Sequence, residues 1–320
     1  MRLQMDNDVC AFLETKAIDD GLQITGIKSE VDKTTLPSVV ELPDAQDGRA
    51  IVEIGPKAFS GCSSIVDLTL PAKLATIGSN AFRNCRSLRA IRLPSKVKTI
   101  ESSAFERCFA LKSARLNSGL ETIGKRAFAE CELLTKIELP SSVKTLGKSA
   151  FYCCVMMTSA KLVDSLTSLP DSLFAGCKAL KSIKIPRDAE KIGAFAFYCC
   201  KSLKEIEFGE RLVSIAKEAF SECHSLESVH LPEGLLRLGE GAFNHCRSLK
   251  ALTLPETLRY YGSFMFMGQT PLKSLVFPAS ITNMGAMDGH VEEDVLMLVH
   301  RGSYAESWAI RRKHKFEYVD

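Results

Sequence analysis

Twelve cysteines and six histidines are the side chains of this chain best equipped for chemistry. Nine of the cysteines recur every 23 residues: Cys62, Cys85, Cys108, Cys131, Cys154, Cys177, Cys200, Cys223 and Cys246. Two have a histidine beside them, in Cys223-His224 and His245-Cys246, which would bring a zinc-type donor set of two thiols and two imidazoles to adjacent repeats. Cysteines in one structural column point one way and their neighbours the other, so the four donors are not expected to converge. No GxGxxG, P-loop, HExxH or GxSxG pattern occurs. Serines are too common for Ser/His/Asp triplets to carry weight. The expectation is no catalytic residue, no metal, no cofactor and no enzyme.

The elements that must hold these cysteines are set by a second column. Three residues before each stands a phenylalanine, and ten in all share the spacing: Phe59, Phe82, Phe105, Phe128, Phe151, Phe174, Phe197, Phe220, Phe243 and Phe266. A fixed period of this length is the mark of a solenoid, in which each repeat buries its apolar face only by stacking on its neighbours. Coils stacked about 4.8 Å apart put column cysteines within disulfide Cα separation, but parallel Cβ vectors oppose the required torsion of about 90°. Buried free thiols, acting as small apolar fillers, are the expected state.

The repeat Ala81 to Ser103 shows the plan. Leu88, Ile91 and Leu93 give a short strand with one face inward. Pro94 ends it, as prolines do in seven of the ten repeats. Val97 to Ile100 returns to the core, and glycine often follows (Gly78, Gly124, Gly147, Gly193, Gly239, Gly262, Gly285), read as a turn that needs permissive φ. The Ala-Phe pair then opens a leg expected to be a short helical or 3₁₀ turn.

Residues 1–50 lack the repeat and read as a β-rich N-terminal cap, with strands at Cys10–Leu13, Leu22–Thr25 and Val39–Pro43. Residues 51–289 carry the ten repeats, and residues 290–320 read as a small α/β C-terminal cap. In that cap Val295–Val299 and Phe316–Val319 read as strands, and Tyr304–Lys313 as a helix with Trp308 and Ala309 inward. Gln269 replaces the tenth cysteine, and Gly289 stands where an eleventh phenylalanine is due.

Charge excludes some partners. Lys+Arg of 41 against Asp+Glu of 38 leaves +3, too little for a general nucleic-acid or membrane footprint. No apolar run approaches the roughly 20 residues that span a bilayer. Acidic residues interrupt the N-terminus where a signal peptide needs an apolar segment, so neither signal peptide nor anchor is expected.

The unit I-G-x-x-A-F-x-x-C-x-x-L-x-x-I-x-L-P resembles the BspA-like leucine-rich repeat from residue 51 to about 285. Asp47-Gly48-Arg49 leading into Val52–Phe59, and Arg301-Gly302-Ser303-Tyr304-Ala305-Glu306, are similar to the flanks of such repeats. The resemblance implies a right-handed leucine-rich-repeat solenoid with a parallel β-sheet of short strands. It also implies a place among surface-exposed, sometimes adhesive, proteins of host-associated bacteria and protozoa.

In a solenoid, function falls to the outward columns. Positions seven, eight and ten after the phenylalanine supply Arg89, Arg92, Lys112, Arg115, Lys136, Lys161, Lys181, Lys184 and Lys204, with Glu138, Glu205, Glu207 and Glu227 interspersed. They are either a solvated sheet face or a surface that steers an acidic partner. The scarcity of aromatics there argues against single-stranded nucleic acid. A second ridge places Phe109, Leu133, Tyr152, Cys153, Val155, Met156, Tyr198 and Cys199 where other repeats put polar residues. These pack on one another locally or form a partner surface. The functional expectation is a non-enzymatic binding or adhesion scaffold for protein or glycan at a cell surface, the alternative being an intracellular protein–protein interaction module of the same fold.

Overall fold

The structure, a computed structural model, describes residues 9–266, 271–285 and 295–319. The chain divides into two compact units, Met1–Met157 and Thr158–Asp320.

The first unit opens with a 3₁₀ turn, Val9–Phe12, where a strand was expected, and the strand Leu13–Ile18 follows it. That strand turns at Asp19-Asp20 and pairs antiparallel with Gly21–Ile27. Gly21–Ile27 then pairs in parallel with Arg49–Ile54, so the stacking direction is already set before the first repeat phenylalanine. From Arg49–Ile54 a parallel ladder runs through Thr76–Ile77, Thr99–Ile100 and Thr122–Ile123 to Thr145–Leu146. Each step joins equivalent residues, Ile77 to Ile100 and Ile100 to Ile123, because every repeat has the same length.

In the second unit the same ladder runs from Ser168–Leu169 through Lys191–Ile192, Ser214–Ile215, Arg237–Leu238 and Tyr260–Tyr261 to Asn283–Met284. A separate three-stranded parallel sheet of Ser274–Phe277, Leu296–Val299 and Phe316–Tyr318 closes this unit, with the helix Tyr304–Arg312 alongside. Ser303 caps that helix by accepting from the Glu306 amide at 3.1 Å, and Glu306 accepts in return from the Gly302 amide at 2.6 Å. Lys313 ends it in the left-handed region, and Ala305, Trp308 and Ala309 are buried as their spacing predicts. The expectations placed on Gln269 and Gly289 lie outside the described residues.

The continuous ladder is therefore the short second segment of each repeat. The longer strands pair only two by two: Val39–Glu41 with Asp67–Thr69, and Ala90–Arg92 with Ser113–Arg115, in the first unit. The second unit repeats this with Ser182–Lys184 on Glu205–Glu207 and Ser228–His230 on Ala251–Thr253. Among the described residues no ladder joins Asp67–Thr69 to Ala90–Arg92, or Ser113–Arg115 to Lys136–Glu138.

Phenylalanines stack down each unit. In the first, from Phe59 to Phe151, centroids lie 5.2–5.7 Å apart with rings within 10° of parallel. In the second, Phe174, Phe197, Phe220 and Phe243 stack at 5.1–5.7 Å. Such pairs add about 0.5–1.5 kcal/mol beyond the area they bury. The cysteines are free and serve as more than fillers. Cys85, Cys108, Cys131, Cys154, Cys200, Cys223 and Cys246 each donate the thiol to the carbonyl of the phenylalanine 26 residues back, at 3.2–3.4 Å.

Two local expectations are corrected. The leg that carries Ala-Phe is a run of tight turns, neither α-helical nor 3₁₀. The residues two before and two after each repeat phenylalanine from Phe59 to Phe243 sit at positive φ, as in Asn80 (58°), Asn84 (62°), Ser103 (57°) and Arg107 (61°). Alternate amides then do different work. Ser60 and Cys62 close turns onto Lys57 and Phe59, while Phe59 and Gly61 donate to Ala81 and Arg83 of the next coil at 2.8 Å. A 3₁₀ turn would use all of those amides internally, leaving none to hold the neighbouring coil.

The recurrent glycines are likewise not there for φ. A Cβ at Gly78 would lie 2.7 Å from the Ile54 carbonyl, and one at Gly147 only 2.1 Å from the Lys125 amide nitrogen. They allow coil-to-coil backbone contact.

Candidate binding surfaces

The structure exposes all nine basic residues of the strand columns, but gives them two different settings. In the first unit Arg92 and Arg115 are register partners on paired strands, and the Lys112 amide donates to the Arg89 carbonyl at 2.8 Å, so four cations lie side by side. Lys136 stands on the next strand. None of these five is within 4.0 Å of a carboxylate among the described residues.

In the second unit Lys161, Lys181, Lys184 and Lys204 alternate with acids. Lys184 pairs with Glu207 at 2.5 Å and Lys250 with Glu227 at 2.8 Å. The Lys250 hydrogen bond and charge hold the Glu227 carboxyl below its ordinary range, with Lys204 adding to the effect. Lys161, Lys181 and Lys204 are in no ion pair within 4.0 Å among the described residues, but Glu205, Glu207 and Glu227 stand among them, so this face carries mixed charge where the arginine-bearing strands of the first unit carry mainly positive charge.

The two missing ladders open clefts on either side of the arginine-bearing strand pair. One, of about 370 Å³, is lined by Leu68, Leu70, Arg92, Leu93 and Pro94 together with Thr69, Ala72 and Ser95. The other, of about 580 Å³, lies between Ser113–Arg115 and Lys136–Glu138, with Ala114, Leu116, Leu139 and Pro140 as its apolar part. Ala114 stands where the paired and following strands carry Ile91 and Ile137, and the smaller side chain leaves room there. Asn117, in the place of the repeat proline, donates to the carbonyls of Pro94 and Val97, tying its loop back to the preceding coil. Each cleft thus offers an apolar wall with an arginine at its rim.

The second ridge divides too. In the first unit Leu133 and Met156 are 39% and 49% exposed on neighbouring coils, with Val155 half-buried beside them. Phe109 lies under the Arg86 guanidinium at 5.7 Å and Tyr152 under Arg126 at 5.3 Å, so both rings are already engaged. In the second unit Tyr198 donates to Glu222 at 2.9 Å and meets Phe195 edge to face. The Glu222 hydrogen bond pushes the Tyr198 phenol up to about 12. Cys153 and Cys199 are half-buried.

Sequence reasoning missed an ion network on this ridge. Glu106, 4% exposed, accepts from Arg126 at 2.8 Å and lies 3.4 Å from Arg83, and Glu130 bridges Arg126 and Arg107. Burial pushes the Glu106 carboxyl up, but hydrogen bonds from Arg126 and Ser103 and the Arg126 and Arg83 charges outweigh it and leave it below its ordinary value. The signal was present: Arg83 and Glu106 share one repeat offset and Arg107 and Glu130 the next, so opposite charges fall on adjacent coils.

The paired thiol–histidine motifs do not converge. Cys223 and Cys246 donate inward to Phe197 and Phe220. Among the described residues no cluster of three or more His, Cys, Asp or Glu could hold a metal.

A parallel-strand solenoid with a 23-residue repeat and variable outer columns is the architecture of a leucine-rich repeat protein. The BspA-type leucine-rich repeat region, in six copies, matches residues 52–181 and 167–287, and the chain belongs to that family. A T. pallidum leucine-rich repeat protein is 30% identical over 68% of this chain and 88% of its own, with a TM-score of 0.55. A leucine-rich repeat protein from Bacteroides ovatus is 24% identical over 96% of this chain and 98% of its own, with a TM-score of 0.58. A leucine-rich cell surface protein from Faecalibacterium prausnitzii is 20% identical over 88% and 94%, also at 0.58. These last two likenesses concern the fold. No curated protein matches the chain.

Proposed function

We propose that this protein is a non-enzymatic binding scaffold that captures an acidic protein partner on the outer strand face of its first unit. The observation that carries the reading is the contrast in charge pairing between the units. Among the described residues Arg89, Arg92, Lys112 and Arg115 lie side by side with no carboxylate in ion-pair reach, whereas on the second unit's strand face Lys184 and Lys250 are each paired with a glutamate and Glu205 stands among the remaining lysines. Like charges side by side cost stability in the free protein and are relieved when an anion covers them. Lys161, Lys181, Lys184 and Lys204 give the second unit a weaker field of its own, and the Leu133, Val155 and Met156 patch adds apolar area to the first unit.

Binding of an acidic peptide library, read by fluorescence anisotropy on the full chain, tests this. Arg92→Glu with Arg115→Glu is expected to abolish binding, and Lys184→Glu to change it little. Equal losses in the two variants, or none in either, would remove the first-unit face as the site. The same face would serve an adhesive surface protein or an intracellular interaction module, and a glycan array beside the peptide library compares the ligand classes. Labelling of intact cells with a membrane-impermeant reagent separates the two settings.

A further inference from the structure

The two clefts carry more information than the charge alone. They flank a single pair of strands, Ala90–Arg92 and Ser113–Arg115, one cleft presenting Arg92 and the other Arg115 with Lys136. Neighbouring strands lie about 4.8 Å apart, so two inter-strand steps separate the cleft centres by about 10 Å along the stacking direction. A ligand crossing the strands and reaching both clefts must therefore present two anionic groups on one face at about that distance.

Common backbone forms meet this requirement unequally. In a β-strand, residues three apart span about 10 Å but point to opposite faces, and same-face residues fall at about 7 or 13 Å. In an α-helix, residues i and i+4 are only about 6 Å apart. Residues i and i+7, though on one face about 10.5 Å apart, sit on a cylinder about 10–12 Å across that is too wide to lower its backbone toward clefts between strands about 4.8 Å apart. Polyproline II has three residues per turn and a rise of about 3.1 Å, which puts residues i and i+3 on one face about 9 Å apart. Its fixed φ also leaves little conformational freedom to lose on binding. The apolar parts of the clefts, Leu70, Leu93 and Pro94 in one and Leu116, Leu139 and Pro140 in the other, suit proline rings and the methylenes of the acidic side chains.

We infer that the first unit recognises an extended protein segment in polyproline-II form with acidic residues spaced acid-x-x-acid, one carboxylate at Arg92 and the other at Arg115 and Lys136. Glu138 lines the same cleft and sets a limit on the charge the second position accepts, so a single carboxylate is favoured there over a doubly charged group. This rests on the acidic-partner reading above and adds the backbone form and spacing to it.

The test uses proline-rich peptides of one length and net charge, with two glutamates placed two, three, four or seven residues apart, titrated against the full chain. The i, i+3 peptide is expected to bind about fivefold more tightly than the others, as only it makes both exposed ion pairs. Arg92→Ala should cost that peptide about fivefold and cost nothing further once its first glutamate is replaced by glutamine; unchanged far-ultraviolet circular dichroism checks that the variant is folded. Equal affinity across spacings, with sensitivity to Arg92 and Arg115 retained, overturns the spacing and leaves the acidic-partner reading standing. A preference for any other spacing would overturn the polyproline form, and tighter binding of an alanine-rich helical peptide with its glutamates seven residues apart would assign a helical ligand instead. Tighter binding of a sulfated glycan than of any peptide would overturn both readings.

Discussion

The column cysteine shows how much a single side chain contributes when it recurs. It is fully buried, and its thiol donates to a carbonyl of the coil before, as Cys108 does to Phe82, so it fills and ties at once. Burial pushes the Cys62 thiol up to about 11, and Cys108 and Cys246 to about 12. Such groups hold almost no thiolate near neutral pH and do not react. A thiol-reactive disulfide reagent at pH 8 is therefore expected to label at most Cys10, Cys153 and Cys199 in the native protein, and all twelve cysteines after denaturation. Rapid native labelling of more than three would show that the column is not closed. The sequence shows the recurrence of these cysteines plainly; their hydrogen bonds depend on which carbonyl the preceding coil presents, which spacing alone does not reveal.

At the scale of the element, the turns and ladders explain residues that composition leaves ambiguous. Gly147 sits where any Cβ would press on the backbone of the coil before it. Gly147→Ala is expected to cost about 3 kcal/mol or lose the fold locally, at the upper end for overpacking. Gly48→Ala meets no atom within 4 Å and suffers only from its φ of 74°, a cost of about 1–2 kcal/mol. Chemical denaturation of the two variants checks the order.

The ion network supplies a second prediction at this scale. Because the Glu106 pKa lies below its unfolded value near 4.5, its stabilisation is full above that value and lost as pH falls through the lower folded one. Glu106→Gln should lower stability at pH 7 by about 1–3 kcal/mol and flatten the acid limb of the stability curve below about pH 4.5. Parallel curves for the two proteins would mean that Glu106 does not set that limb. The outward strand columns carry no trace of this network; its signal lies in the turn offsets, where Arg83 and Glu106, and Arg107 and Glu130, fall on adjacent coils. The network depends on offsets one and two after the phenylalanine being turned by left-handed residues so that Arg and Glu of successive coils meet.

For the whole molecule, a net charge of +3 conceals an uneven field. The strand face of the first unit displays a local cluster of unpaired cations, while that of the second intersperses its lysines with glutamates and pairs Lys184 and Lys250. Association with an acidic partner should then be steered electrostatically. Its on-rate should fall about tenfold as salt rises past the point where the Debye length shrinks from about 10 Å to a few ångströms, with the off-rate changing less. Stopped-flow mixing over a salt series measures both, and a salt-independent on-rate would contradict steering.

What the sequence determined by itself is the solenoid, its 23-residue step, the phenylalanine and cysteine spine and the closing helix from Tyr304, because each follows from strict periodicity or from helical spacing of apolar residues with a basic end. The tertiary structure alone decided which strands form the continuous ladder, why the glycines are needed, which cations remain unpaired and where the sheet opens into clefts. These depend on the pairing of residues 23 or more apart across stacked coils. There the difference between Ala114 and its isoleucine neighbours, or between Asn117 and a proline, is felt only once the coils are in contact.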